Sequence, residues 1–190
     1  GVTEPMLAAI EEQKPDMVLH LGDYVLDAEA IAAYFPSLDL RYVRGNCDAY
    51  YRGDAEENLL FNADGVRIFM THGHRYNVKL GYESLANAAH FSGAQLALFG
   101  HTHEADFLRM GDVTLFNPGS AGMGRQTYGM ITVKERSSNA RFSPCKRRPP
   151  VLRRGGRSPH SLHLHRSVVP HLAAVVALPE SDGFRQGDQL

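Results

Sequence analysis

The chain has 190 residues, 43% of them apolar and 22% charged, enough to bury one sizeable core and in keeping with a single domain. Its net charge of −1 conceals an asymmetry: residues 1–135 hold 18 acidic and 10 basic side chains, whereas residues 136–190 hold 3 acidic and 10 basic ones. The most apolar late stretch, Val168 to Leu178, is too short to cross a bilayer and is interrupted by Pro170 and His171, which excludes a helical membrane span there and leaves a soluble cytoplasmic protein as the expectation.

Thr3 is placed to cap a helix whose apolar positions Met6, Leu7 and Ile10 repeat at three- and four-residue spacing. Met17 to Leu21 is a short apolar run ending at Gly22-Asp23, the pattern of a buried strand. Asp27 to Tyr34 is alanine-rich and helical in character, and Pro36 stops it. Leu40 to Val43 reads as a strand. Leu59 to Phe61 and Val66 to Met70 flank the turn residues Asn62-Ala63-Asp64-Gly65, a hairpin. Tyr82 to Phe91 reads as a helix and Leu96 to Phe99 as a buried strand. Asp106 to Met110 and Val113 to Phe116 flank Gly111-Asp112 in a second hairpin, and Tyr128 to Val133 reads as a last strand. Strands alternate with helices early and hairpins dominate later, which points to a layered α/β sandwich.

Residues 1–135 form one domain on this reading. Residues 136–190 are a basic tail rich in Arg, Pro and His, with runs such as Lys146-Arg147-Arg148-Pro149-Pro150 and no sustained periodicity. Such composition predicts disorder. A nucleic-acid-binding arm and a continuation out of the native reading frame are the minor alternatives, the first weakened by the lack of interleaved aromatic residues. The histidines from His160 to His171 are read as a composition effect and His90 as a surface histidine. Cys47 and Cys145 lie on opposite sides of the composition break, which argues against a structural disulfide and for a reducing compartment.

Four polar segments carry the chemistry: His20-Leu21-Gly22-Asp23, Gly45-Asn46-Cys47-Asp48, Thr71-His72-Gly73-His74 and Gly100-His101-Thr102-His103. Each follows an apolar strand-like run, and ligands in open α/β folds bind at the carboxyl ends of strands. An aspartate can bridge two divalent ions, imidazoles bind Zn, Mn, Fe, Co or Ni, and an Asn carbonyl oxygen completes a mixed N/O set. A lone Gly-Asp or Gly-Asn-x-Asp is most often a turn. Two His-x-His elements, both at strand ends, are far harder to assign to chance.

The ordered set Gly-Asp, Gly-Asn-x-Asp, His-Gly-His and Gly-His-x-His resembles the calcineurin-like metallophosphoesterase superfamily. Gly45-Asn46-Cys47-Asp48, Thr71-His72-Gly73-His74 and Asn117-Pro118-Gly119-Ser120 are similar to its small bacterial and archaeal phosphodiesterase branch. The resemblance covers about residues 1–133. It implies a four-layer α/β/β/α sandwich, a site for two divalent metal ions (Mn, Ni, Zn, Fe or Co), and hydrolysis of phosphodiester or phosphomonoester bonds by a hydroxide bridging the two metals. Asp23 would bridge both ions, Asn46, His72 and His101 would complete one metal's ligands, and His103 would bind the other. His74 and Asp48 would act beside the metals, His74 on the phosphate or on a group of the outer shell and Asp48 in orienting the loop or the substrate. Cys47 stands where many members have a catalytic histidine. A thiol of ordinary pKa protonates a leaving group less well near neutral pH than an imidazolium does, so activated esters are expected to react best. The substrate would be a phosphate-ester small molecule or a nucleotide, with a homodimer open.

The same resemblance implies an opening Asp-x-His motif on a first strand, and neither stands in this chain, which begins at Gly1. On that reading one metal keeps its full ligand set, the other keeps Asp23 and His103, and the chain is expected to be weakly active or inactive. The rival is a non-catalytic interaction scaffold of the same fold, as a retromer subunit of this branch is.

Overall fold

The computed structural model describes residues 3–122 and 126–133 and, beyond them, the backbone of three strands at 142–145, 161–164 and 171–176. Helix α1 (Glu4–Gln13) starts with Pro5 in its first turn and buries Met6, Ala9 and Ile10 on one face. The Thr3 hydroxyl makes no capping bond, contrary to the sequence expectation. Its carbonyl accepts the Met6 and Leu7 amides instead, both at 3.0 Å. Strand β1 (Met17–His20) leads to α2 (Val25–Tyr34), and β2 (Asp39–Tyr42) follows. The hairpin β3 (Asn58–Ala63) and β4 (Val66–Thr71) turns on Asp64 and Gly65 alone, with Ala63 opposite Val66. Both turn residues have positive φ, 45° and 81°, as a two-residue turn matched to strand twist requires.

Helix α3 (Glu83–Phe91) precedes β5 (Leu96–Leu98), and β6 (Ala105–Met110) pairs with β7 (Val113–Pro118) as the second hairpin. Strand β8 (Gly129–Val133) is not the last one. Segments Phe142–Cys145 (β9), Ser161–Leu164 (β10) and His171–Val176 (β11) are also strands. The late apolar run, too short for a bilayer, is long enough for a strand of six residues. The expectation of disorder for the rest of 136–190 lies outside the described residues.

Two sheets result. One runs β2-β1-β11-β8-β10-β9 and the other β3-β4-β5-β7-β6. In the first sheet β11 lies between β1 and β8, parallel to the former and antiparallel to the latter. Leu19, Leu21, Val43, Ile131 and Val133 of the first sheet and its connections pack against Ile68, Met70, Leu96, Leu98 and Phe116 of the second. Helices α1 and α2 cover the outer face of the first sheet through Met6, Ile10 and Ile31. Helix α3 covers the second through Leu85, Ala86 and Ala89. The order of layers is therefore α/β/β/α, as expected. Strand β1 is parallel to β2, and β4, β5 and β7 are mutually parallel, so the segments that follow them leave each sheet at its carboxyl end. Among the described residues no helix is long and apolar enough to cross a membrane.

Candidate metal centre

The connection from β1 to α2 is an unusual piece of backbone. Gly22, Asp23 and Tyr24 all have positive φ, at 91°, 56° and 59°. For Asp and Tyr the left-handed region costs on the order of 1–2 kcal/mol each, so neighbouring groups must hold it. The Gly22 amide donates to His20 Nδ1 (3.3 Å), and the Cys47 amide donates to Asp23 Oδ1 (3.1 Å). Asp48, buried, takes the Val25 amide on Oδ1 (2.8 Å) and the Gly45 amide on Oδ2 (2.9 Å). Those two bonds clasp the first turn of α2 to the loop after β2. They also start α2 at Val25, two residues before the Asp27 expected from composition.

Close packing completes the clasp. A Cβ on Gly45 would overlap both the carboxylate and the main-chain nitrogen of Asp23. One on Gly22 would stand 2.8 Å from His72 Nδ1. Both glycines are needed for approach, and Gly22 for its φ as well. Asp23 is wholly buried as a result.

His72, just past β4, is 1% exposed. Its Nδ1 lies 2.7 Å from the Leu21 carbonyl oxygen. A carbonyl only accepts, so Nδ1 carries a ring proton and Nε2 is the ring nitrogen left to face the site. That Nε2 faces Asp23 Oδ2 at 3.3 Å and Asn46 Oδ1 at 3.1 Å. One ring nitrogen, one carboxylate oxygen and one amide oxygen converge from the ends of three strands. Mixed N/O sets of this kind suit first-row divalent cations, so the residues present fit a metal. The set depends on an amide: among the described residues no three His, Cys, Asp or Glu side chains alone have metal-holding geometry.

The other two histidines of the cluster flank His72, with ring centroids 5.1 Å away for His101 and 5.4 Å for His74, and 6.1 Å between His74 and His101. His101 and His103 occupy a left-handed loop after β5, with φ of 68° and 60°. The Gly100 amide ties that loop to the His72 carbonyl (3.0 Å). Among the described residues, His103 Nε2 and His74 Nδ1 are buried atoms without a hydrogen-bond partner. Burial lowers the His74 pKa, and Arg75 beside it adds to the effect. His20, wholly buried behind the turn, is pushed down to about 3 by burial and then by the His72 ring.

The structure thus brings Asp23, Asn46 and His72 into one set and packs the His74 and His101 rings beside His72 at 53° and 67°. It spends both oxygens of Asp48 on main-chain amides, and it places His103 two residues beyond His101 in the same loop. Cys47 is half-buried, with Sγ 3.6 Å from the Asn46 amide nitrogen. His90 is paired with Asp112 on the surface (2.8 Å). Two contributors had no role of their own in the sequence reading. His20 stood only as the first residue of a motif, one polar residue in an apolar strand, and Asn117 only as part of a family mark.

A family model for the calcineurin-like phosphoesterase superfamily domain matches residues 2–136. The probable metallophosphoesterase YsnB of Bacillus subtilis is 30% identical over 141 residues, covering 72% of this chain and 79% of its own length. A phosphodiesterase of Methanocaldococcus jannaschii is 28% identical over 151 residues, covering 66% of this chain and 81% of that protein. The solved structure of a predicted phosphoesterase from Streptococcus pneumoniae superposes with a TM-score of 0.54 at 28% identity, covering 63% of this chain and 67% of that one. With four motifs in order, the layers they require and a matching family model, the chain belongs to the calcineurin-like phosphoesterase superfamily.

Proposed function

We propose that the chain hydrolyses phosphodiester bonds with divalent metal, weakly because Asp23 and His103 alone remain for a second ion, taking a phosphate-ester small molecule or a nucleotide as substrate. The observation that carries this reading is the convergence of His72 Nε2 on Asp23 Oδ2 and Asn46 Oδ1. Asp23, Asn46, His72 and His101 would hold one ion, and Asp23 with His103 would hold a second. Mn, Ni, Zn, Fe and Co all suit the donor set. When bound, the metal supplies a water of lowered pKa as nucleophile and positive charge against the phosphoryl oxygens.

The chain's own residues do the rest. The Leu21 carbonyl fixes the His72 tautomer. Asp48 holds the Asp23 turn and the Asn46 loop in register through Val25 and Gly45. His74, with its pKa lowered by burial, is neutral near pH 7 and offers Nδ1 to a phosphoryl oxygen or to a group that orients one. Cys47 stands next to Asn46 with a thiol in place of an acidic imidazolium, which favours esters whose leaving groups need no proton. The diester preference is supported by the name of the archaeal relative.

The test is turnover of bis(4-nitrophenyl) phosphate by the chain, loaded with Mn2+, Ni2+, Co2+ or Zn2+ in turn, beside 4-nitrophenyl phosphate and 4-nitrophenyl thymidine monophosphate. Metal-dependent release of 4-nitrophenol, abolished by chelator and by Asp23→Asn or His72→Ala, is expected. Tight metal binding with no turnover of any ester, and unchanged behaviour in both variants, would overturn the reading in favour of a scaffold.

A further inference from the structure

We propose that Asn117 is the positioning residue for the loop that carries His101 and His103, its buried carboxamide holding that loop in the left-handed conformation that turns His101 toward His72. This rests on the metal-dependent reading above for its consequence, although not for its geometry. The loop cannot hold itself. Two of its three residues after Gly100 are histidines at φ of 68° and 60°, a region that side chains bearing a Cβ occupy at a cost.

Asn117 lies at the end of β7 and is wholly buried. Each proton of its amide nitrogen has its own acceptor, the Gly100 carbonyl oxygen at 3.1 Å and the Thr102 Oγ1 at 2.9 Å. These acceptors bracket His101 on either side. The amide oxygen takes the Gly119 N–H at 2.9 Å. One side chain therefore ties together the residue before His101, the residue after it and the turn that ends β7. The bonds continue outward: Thr102 Oγ1 also accepts the Glu104 amide (3.3 Å), and the Thr102 amide reaches the Gly100 carbonyl (2.8 Å).

No other residue type reproduces this pattern. An aspartate of the same shape would set a carboxylate oxygen against the Gly100 carbonyl oxygen, acceptor facing acceptor, while still receiving the Gly119 amide. An alanine would leave the Gly100 carbonyl and the Gly119 amide without that partner in a dry place. In either case the chain between Gly100 and Glu104 gains freedom, and His101 must be ordered anew whenever an ion binds.

The experiment compares the protein with Asn117→Asp, Asn117→Ala and the milder Thr102→Val, which removes one of the Asn117 bonds and the acceptor of the Glu104 amide, so that for this variant the exchange of residues 101–103 is the one read. Two quantities are read: amide hydrogen exchange of the metal-free protein, and Co2+ affinity followed by visible absorption. Exchange at residues 101–104 (101–103 for Thr102→Val) should rise in all three variants while the amides of the Asn58–Thr71 hairpin keep their protection. Co2+ affinity should fall about 10–100-fold for the two Asn117 variants, the usual range for a group that orients a ligand, and less for Thr102→Val. Unchanged exchange at 101–104, or Co2+ affinity within twofold of the parent, overturns the proposal. So does a loss of hairpin protection equal to the loss in the loop, because the role is then general stability. If an Asn117 variant does not fold, Thr102→Val decides: no change in exchange or affinity refutes the assignment. If the parent itself takes up no Co2+, the metal reading fails, and the exchange data still decide whether Asn117 holds the loop.

Discussion

Replacing Asp48 by asparagine tests the clasp that sets the Asp23 turn. The parent carboxylate accepts the Val25 amide at 2.8 Å and the Gly45 amide at 2.9 Å, and its side chain is only 6% exposed. Asparagine keeps the shape and one acceptor, and it points an NH2 group at the other amide. One charge-assisted bond is lost and one buried N–H is left facing a donor. Each such bond is worth about 1.5–3 kcal/mol, and removing the negative charge from the first turn of α2 takes away about 0.3–1 kcal/mol more. The expected loss is therefore about 2–4 kcal/mol. For a chain of 150–250 residues that corresponds to a fall in Tm of about 4–16 °C. Urea titration followed by far-ultraviolet circular dichroism gives the free energy, and Co2+ titration of the same variant gives the effect on the site. If Asp48→Asn lies within about 0.5 kcal/mol of the parent, the ordinary range for an inconsequential surface change, the clasp does not hold the turn and the role given to Asp48 is wrong.

Gly45→Ala forces a Cβ into the carboxylate and main chain of Asp23; a misplacement of about 1 Å at a reacting centre costs on the order of 100-fold in rate, and activity equal to the parent would contradict the packing. His20 makes stability depend on pH: its folded pKa of about 3 lies below its ordinary 6.5, so below pH 6.5 the unfolded chain binds a proton that the folded chain refuses. Its contribution is complete above that pH and is lost as pH falls toward 3, with a limiting slope of about 1.4 kcal/mol per unit; between pH 7 and 5 the parent should lose about 2 kcal/mol more than His20→Gln in urea titrations, and equal losses would refute the buried neutral ring. Adding Co2+ to the metal-free protein at 100 times its Kd should raise stability by about 2.7 kcal/mol, a rise that His72→Ala should remove.

Much of this was legible in advance because the signals were local. Apolar runs such as Met17–Leu21 and Leu96–Phe99, bounded by glycine and polar residues, became β1 and β5, and Asp64-Gly65 and Gly111-Asp112 placed both hairpins. What failed depended on distant partners. The start of α2 is set by Asp48, 23 residues away from Val25, and no window of sequence around Val25 contains that information. The strands β9 to β11 carry weak patterns of their own and gain their identity by pairing, β11 with β1 and β8, β10 with β8 and β9 with β10. At the site, residue types pointed to Asp23, Asn46 and His72, which the fold brings together. Charge alone could not announce that the oxygens of Asp48 face main-chain amides, nor that a lone polar residue in β1 would anchor the Gly22 amide.

The backbone explains why those supporting residues matter. Seven non-glycine residues have positive φ among the described residues: Lys14, Asp23, Tyr24, Asp64, Asn77, His101 and His103. Lys14 ends α1 and Asp64 turns a hairpin, ordinary places for such a conformation. Asp23, Tyr24, His101 and His103 sit instead in the two loops that carry candidate metal ligands. A loop in such a conformation stays there only when its surroundings leave it no alternative. Each of these loops has its own buried clasp, Asp48 for the first and Asn117 for the second; Asp48 acts through main-chain amides, and Asn117 through the Gly100 carbonyl, the Gly119 amide and Thr102 Oγ1. The candidate ligands are thus held by the fold itself, so an ion binding there would spend little of its binding free energy on ordering them. Such a site should tolerate exchange among divalent ions better than it tolerates the loss of either clasp.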